Sequence, residues 1–109
     1  MSEIVLSEST LALLQAPGLG VEDVDSKVRY LLEAEYMRRL ERYHRTNNLL
    51  SEKYGMTFEE FAAQHVVRQR GYTWEVEKDA MDWETALGGI EDARRALMEL
   101  KNLRVQQRV

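Results

Sequence analysis

Apolar residues recur at helical spacing along most of this chain, and the pattern predicts an all-α fold. Steps of three and four residues between apolar side chains are typical of amphipathic helices. One domain, residues 1–109, is expected to hold a long helix and three to four shorter ones. The main predicted helices cover residues 23–54, 57–70, 73–87 and 90–103. In the N-terminal segment, residues 1–22, we expect either a brief strand or an extended entry at 4–6, then a short helix that follows Ser7 and ends at Pro17.

Residues with special conformational preferences mark the expected helix ends. Gly55 has the position of a C-terminal cap glycine, and Thr57 with Glu60 has the sequence of a capping box. These residues predict that one helix ends and the next begins between 54 and 58. Gly88 and Gly89 are expected to introduce a turn or kink, because glycine is unfavourable inside a helix.

The apolar pattern also predicts two coiled-coil-like seams. From Tyr36 the long helix carries aromatic and aliphatic residues at steps close to a heptad, and the position that breaks this pattern is Asn47. An asparagine there either fixes the register of a helix contact or, with the poor helix formers beside it, marks a kink. The second seam contains Ile90, Ala93, Leu97 and Leu100, at steps of three, four and three residues.

The segment 72–77 fits two different structures. Tyr72, Trp74 and Val76 alternate with polar residues, as they would in a half-buried strand. The same segment continues a helical face that runs on to Trp83, and a lone strand would have no obvious partner. We therefore expect a helix from residue 73.

Composition and charge add two constraints. The chain has no cysteine, which excludes disulfides and thiolate metal sites and leads us to expect a reducing, cytoplasmic location. The net charge is −4, with acidic blocks at 1–26 and 55–92 and basic blocks at 27–54 and 93–109. Alternating blocks favour pairing between helices or between subunits, and an acidic total disfavours general nucleic-acid binding. No segment is apolar over the length that a membrane span needs.

Candidate catalytic residues lie on the long helix. Arg39 and His44 match the R-x4-H pattern of HEPN-type ribonucleases, and Arg38 with His44 matches R-x5-H. In such an enzyme the arginine would stabilise phosphate charge and the histidine would act as a general acid or base. A solvated basic face is the interpretation we favour, because two residues alone are weak support. Glu41 and His44 form one E-x-x-H pair without the second copy that di-iron bundles use, so we expect no metal and no cofactor.

Acidic and large apolar residues alternate between residues 74 and 84. Glu75, Asp79 and Asp82 can share one side of a helix, where they could face water, bind a hard cation or meet a basic partner. We favour a face in water over a cation site, because charge runs usually face solvent. Trp74 and Met81 fall outside the core-facing stripe and are of the types that anchor protein interfaces. The residues predicted to form the chain's own core are Phe58, Phe61 and Trp83.

Three stretches of the sequence carry a family resemblance. They are KYGMTFEEF (Lys53–Phe61), WEVEKDAMDWE (Trp74–Glu84) and VRYLLEAEYMRRLERY (Val28–Tyr43). Together they resemble small helical antitoxins of prokaryotic type II toxin–antitoxin modules. This resemblance implies a non-enzymatic protein that forms a homo-oligomer and neutralises a cognate toxin through its helices. The residues expected to contact a partner are Trp74, Glu75, Asp79, Met81, Asp82, Ile90, Leu97 and Leu100.

Operator DNA is a further partner of many antitoxins, which bind it through an N-terminal ribbon-helix-helix. The first 26 residues here are acidic and lack lysine and arginine, so this segment departs from that pattern and DNA binding by it is disfavoured. The better candidates for nucleic-acid contact are Arg38, Arg39, Arg42 and Arg45. A self-associating scaffold or transcriptional regulator, and the HEPN-like ribonuclease, stay open as alternative functions.

Overall fold

The structure, a computed structural model, describes residues 3–16 and 23–107, and these contain five α-helices. They are α1 (Glu8–Gln15), α2 (Val24–Tyr54), α3 (Phe58–Ala63), α4 (Val66–Gln69) and α5 (Trp74–Gln107). The predicted all-α fold is therefore confirmed. Residues 3–7 form an irregular entry and no strand, since no other strand in the described ranges offers hydrogen bonds to them. The helix end predicted at Pro17 lies outside the described residues.

Helices α2 and α5 pack against each other as an antiparallel pair. Asn47 meets Trp83 and Glu33 meets Arg104, so residue numbers rise along one helix as they fall along the other. At 1.5 Å per residue the helices extend about 46 Å and about 51 Å. The radius of gyration is 19.9 Å, whereas a compact chain of this length has about 13 Å. The molecule is consequently a rod with a narrow interior.

Local capping explains where α2 begins and ends. The carboxylate of Asp23 accepts a hydrogen bond from the Ser26 backbone N–H at 2.8 Å, which satisfies one of the free donors of the first turn. At the other end, Gly55 adopts φ +65° and the Met56 N–H reaches the Ser51 carbonyl at 3.2 Å. This left-handed closure confirms the helix end predicted at Gly55.

Asn47 lies inside an unbroken helix, which resolves the two interpretations of this residue. Its side-chain oxygen accepts a hydrogen bond from the indole Nε1–H of Trp83 at 2.8 Å, across the seam between α2 and α5. A kink at this position is wrong, because packing and this hydrogen bond outweigh the weak helix propensity of the segment. The hydrogen bond of Asn47 instead sets which turn of α2 lies beside Trp83 of α5, and so fixes the register of the two helices.

An aromatic cluster forms the core at this end of the rod. Trp83 is 0% exposed, and its ring centroid lies 5.2 Å from that of Phe61, 5.4 Å from Phe58 and 6.0 Å from Tyr54. Edge-on and offset pairs of this kind add about 0.5–1.5 kcal/mol each to the stabilisation from burial alone. The predicted core role of Phe58, Phe61 and Trp83 is confirmed, with Phe58 half-buried at its edge.

The helix predicted over 57–70 is two short helices. The capping box of Thr57 and Glu60 forms and starts α3, as the sequence predicted. The helix stops after Ala63 because His65 takes a left-handed conformation at φ +52°, and α4 then runs in a new direction. His65 is exposed, although its spacing from Phe58 and Phe61 is that of residues on one face of a helix.

The predicted interruption at Gly88 and Gly89 is also wrong, because α5 runs through both glycines. A Cβ on Gly89 would lie 2.6 Å from Cδ2 and Cζ of Tyr43, so a residue without a side chain lets α2 and α5 approach here. A Cβ on Gly88 would meet nothing within 4 Å. The two neighbouring glycines therefore have different physical roles.

This difference leads to a paired mutational prediction. Gly89→Ala forces the Tyr43 ring to shift, and we expect a net destabilisation of about 1–2 kcal/mol after the gain in helix propensity is counted. Gly88→Ala introduces no clash within the chain and should stabilise it by about 0.5–1 kcal/mol. Urea unfolding of dilute protein, followed by far-UV circular dichroism, measures both. Equal effects of the two substitutions would contradict the conclusion that Gly89 allows the close approach of α2 and α5.

Asn47 supplies a second prediction. Asn47→Ala leaves the fully buried indole N–H of Trp83 without its acceptor, which should lower the free energy of unfolding by about 1–3 kcal/mol. Asn48→Ala removes the same side chain one position away, on an exposed site of the same helix, and should stay within about 0.5 kcal/mol. The indole proton resonance in an NMR spectrum would report the lost hydrogen bond directly. An unchanged resonance and stability in Asn47→Ala would show that this pair does not hold the seam.

Candidate partner-binding groove

An open apolar groove lies between α3, α4 and the first turns of α5. Its volume is about 450 Å³, and its floor is formed by side chains that also border the aromatic cluster, among them Phe58 and Phe61. Met81 forms one wall and is 61% exposed. His65, Arg68 and Glu84 add polar groups to the lining. The groove can accept an apolar group that protrudes from another molecule, and its polar lining residues can contact polar atoms around that group.

Two non-glycine residues in left-handed conformations shape this groove. His65 has φ +52° and Tyr72 has φ +55°, and both side chains line it. The turn at Tyr72 closes α4, with the Tyr72 N–H bonded to the Val67 carbonyl at 2.9 Å and the Gly71 N–H to the Arg68 carbonyl at 3.0 Å. Left-handed residues other than glycine carry a conformational cost and concentrate at functional sites. Gly71 marks this turn in the sequence, whereas no neighbouring residue type marks the break at His65.

A polar cluster ties the end of α2 to the start of α5 beside the core. Lys53 Nζ donates to Glu75 Oε1 at 2.8 Å and to Asp79 Oδ2 at 2.7 Å. The Tyr54 hydroxyl donates to the same Asp79 oxygen at 2.6 Å. Burial and this hydrogen bond raise the pKa of Tyr54 to about 12. Burial also raises the pKa of Asp79, but the hydrogen bonds from Lys53 and Tyr54 outweigh it and hold that pKa below its ordinary value.

The acidic residues predicted to meet a partner divide into two groups. Glu75 and Asp79 bind Lys53 of the same chain, and Asp79 is also half-buried. Asp82 is exposed and pairs with Lys78 one turn earlier, at 2.6 Å. The structure thus brings Glu75 and Asp79 together around a cation, and it places Asp82 apart from them.

The apolar residues predicted to meet a partner divide in the same way. Trp74 and Met81, two turns apart on α5, are 70% and 61% exposed, so both have the accessible position that the prediction required. Ile90 and Leu100 are buried and Leu97 is half-buried, because the seam that they form faces the inside of the chain. These last three residues stabilise the chain itself and offer little surface to another protein.

The basic residues of α2 do not form a single free cluster. Arg38 and Arg39 both contact Glu35, with Arg39 Nε at 2.8 Å from it, and Arg45 contacts Glu41 at 3.1 Å. Arg42 lies over the ring of Tyr43. These i,i+3 and i,i+4 pairs lower the net positive charge that DNA or RNA would meet on this face.

Arg39 and His44 do not converge on one site within the chain. Five residues of continuous helix turn through about 140°, so the two side chains leave α2 in different directions. Arg39 is exposed and bound to Glu35, while His44 is half-buried. Within residues 3–16 and 23–107, no three His, Asp or Glu side chains are grouped as metal ligands. No helix in these ranges has the length and apolar character of a membrane span.

The raised pKa of Tyr54 predicts a dependence of stability on alkaline pH. The fold favours the neutral phenol, so this contribution is fully present below the ordinary pKa of 10.0 and is lost as pH rises toward about 12. At pH 8, Tyr54→Phe should cost about 1.5–3 kcal/mol, because it removes a hydrogen bond to a charged acceptor. Urea unfolding at pH 8 to pH 12 should show the difference between wild type and variant shrinking. Tyr72→Phe, at an exposed ring, is the control and should give a small difference that does not change with pH.

Comparisons with known proteins complete the description of this site. A scan against protein-family models and searches of curated proteins and of solved structures found no match to this chain. The antitoxin resemblance stays a prediction that rests on the three sequence stretches described above.

Proposed function

We propose that this protein is an antitoxin-like binding protein that neutralises a cognate toxin by occlusion. The observation that supports this proposal is the open apolar groove with exposed Met81 as one wall, and Trp74 is exposed two turns earlier on the same helix. A protein interface concentrates its binding energy on a few anchors that are buried in such pockets. In this proposal an apolar segment of the toxin enters the groove, and contacts around the groove exclude water.

Charge around the groove indicates the chemistry of the toxin surface. Glu84 lines the groove and Glu77 precedes it by two turns on α5, within the acidic block of residues 55–92. A toxin that acts on RNA or nucleotides needs a basic surface near its active groove, and an acidic helix would be attracted to that surface. This complementarity would accelerate the encounter more than it strengthens the final complex. Binding would then weaken as ionic strength rises.

Co-expression with the product of the neighbouring gene tests this function. We expect the two proteins to co-purify and the chain to restore growth to cells that produce the toxin. Ala62→Arg places a long charged side chain in the groove from an exposed position, so it should abolish both effects without unfolding the chain.

Ala63→Arg is the matched control, since Ala63 is exposed on the same helix but does not line the groove. It should bind and rescue as the wild type does. Circular dichroism and urea unfolding establish that both variants are folded. If both bind equally well, the groove is not the toxin site. If neither the wild type nor the variants bind or rescue, the antitoxin function is wrong.

A further inference from the structure

The side of α5 that faces away from α2 carries two rows of residues at heptad spacing. We call these two rows the outer face of α5. The first row is Trp74, Met81, Gly88, Arg95 and Asn102, and the second is Glu77, Glu84, Glu91, Met98 and Val105. All are exposed except Glu77, which is half-buried. Within each row the residues are seven apart, and the second row is offset from the first by three residues. These are the spacings of the a and d positions of a coiled coil.

Large apolar residues occupy both ends of the outer face. Trp74 and Met81 are 70% and 61% exposed at the N-terminal end, and Met98 and Val105 are 58% and 57% exposed at the C-terminal end. The charged residues between them change sign, from Glu84 to Arg95. In antiparallel coiled coils each a residue packs beside a d residue of the other helix. When two outer faces are aligned antiparallel, the apolar end of one lies against the apolar end of the other, and acidic residues lie against basic ones.

One register gives suitable partners to the outer row positions and, at its centre, places Gly88 beside Glu91 of the partner subunit. In it, Met81 of one copy lies beside Met98 of the partner subunit, and Glu84 lies beside Arg95 of the partner subunit. Trp74 meets Val105 of the partner subunit, and Glu77 meets Asn102 of the partner subunit. A shift of one heptad would place Glu91 against Met81 in one direction, and would leave Trp74 without a partner in the other. The pattern thus favours one antiparallel alignment over its neighbours.

Gly88 gives an independent reason for this alignment. Inside a helix, glycine costs about 1 kcal/mol relative to alanine, and nothing within 4 Å in this chain would obstruct a Cβ there. The twofold axis of the proposed pair passes between residues 89 and 90, beside Gly88. A residue without a side chain lets two helices approach closely at their crossing point. The exposed glycine, which the isolated chain does not explain, is accounted for by the helix of a second copy.

From these observations we infer that two copies of this chain associate through the outer faces of their α5 helices, antiparallel and with twofold symmetry. Met98 of the partner subunit lies against Met81, which is one wall of the apolar groove. Each subunit therefore extends the groove of the other. This inference does not rest on the proposed toxin binding, because it uses only the sequence and exposure of α5.

Disulfide trapping tests the register. Because the sequence has no cysteine, every disulfide that forms must involve an introduced residue. Met81→Cys and Met98→Cys chains are prepared separately, mixed and mildly oxidised. In the proposed pair residue 81 lies beside residue 98, whereas two copies of residue 81, or of residue 98, are about 25 Å apart. A disulfide needs Cα atoms within about 7 Å. We therefore expect a cross-linked dimer from the mixture and little from either chain alone.

Charge exchange tests the polar layer. Glu84→Arg and Arg95→Glu each place like charges in two symmetric layers and should weaken dimerisation by about tenfold or more. The double variant restores opposite charges and should recover most of the dimer. Glu52→Arg is the control, because it makes the same charge change at an exposed position of α2 that is not on the outer face. Sedimentation equilibrium from about 1 µM to about 1 mM covers the range of a moderate dimer.

Several results would overturn the inference. They are a monomeric wild type over the whole range, a cross-link between two copies of residue 81, and single charge variants that dimerise as well as the wild type. Circular dichroism identifies variants that fail to fold, and the disulfide test then decides alone. Failure of toxin binding has a different signature, since Ala62→Arg should lose the toxin and still dimerise.

Discussion

The fold depends on one contact, the burial of Trp83 of α5 against α2. The indole is completely enclosed, and its only polar atom is satisfied by Asn47. The short helices α3 and α4 complete the enclosure, because they supply Phe61 and Val66 to the same buried cluster. The hydrogen bond from Asn47 adds specificity, because any sliding of the helices would leave a buried donor without an acceptor. The aromatic cluster supplies the stabilisation and the Asn47 bond fixes the alignment.

The same constraint determines which surfaces are left for other molecules. A pair of long helices has an interior on one side only, and the cover formed by α3 and α4 extends over a small part of α5. The outer face of α5 therefore meets solvent along the helix, with Trp74 and Met81 at one end and Met98 at the other. Beside it, the edge of the α3–α4 cover forms the groove. Self-association and toxin binding are proposed for adjacent surfaces that share Trp74, Met81 and Glu84.

Sequence patterns predicted the features that depend on neighbouring residues. The capping box at Thr57 and the left-handed end at Gly55 are set within one turn of chain, and both form as expected. Features that depend on distant residues were missed. Gly89 indicated a kink, but its missing side chain makes room for the ring of Tyr43 on another helix. The break at His65 has no local cause that propensity would reveal. Ile90 and Leu100 were placed on a partner surface because periodicity identifies an apolar face without saying which protein covers it.

The uneven distribution of the core along the rod has a consequence for its motions. Near Trp83 the two long helices are joined by the stacked rings of Tyr54 and Trp83 and by the ion pairs of Lys53 with Glu75 and Asp79. Toward the other end Ile90 and Leu100 are buried without such rings, and the cross-helix ion pair of Arg104 with Glu33, at 3.3 Å, is partly exposed and contributes little. Opening is therefore expected to begin at that end and to proceed toward the tryptophan, so backbone amide exchange should slow progressively along α5 in the same direction. The end of the helix pair near Trp83 is therefore expected to stay packed while the other end opens.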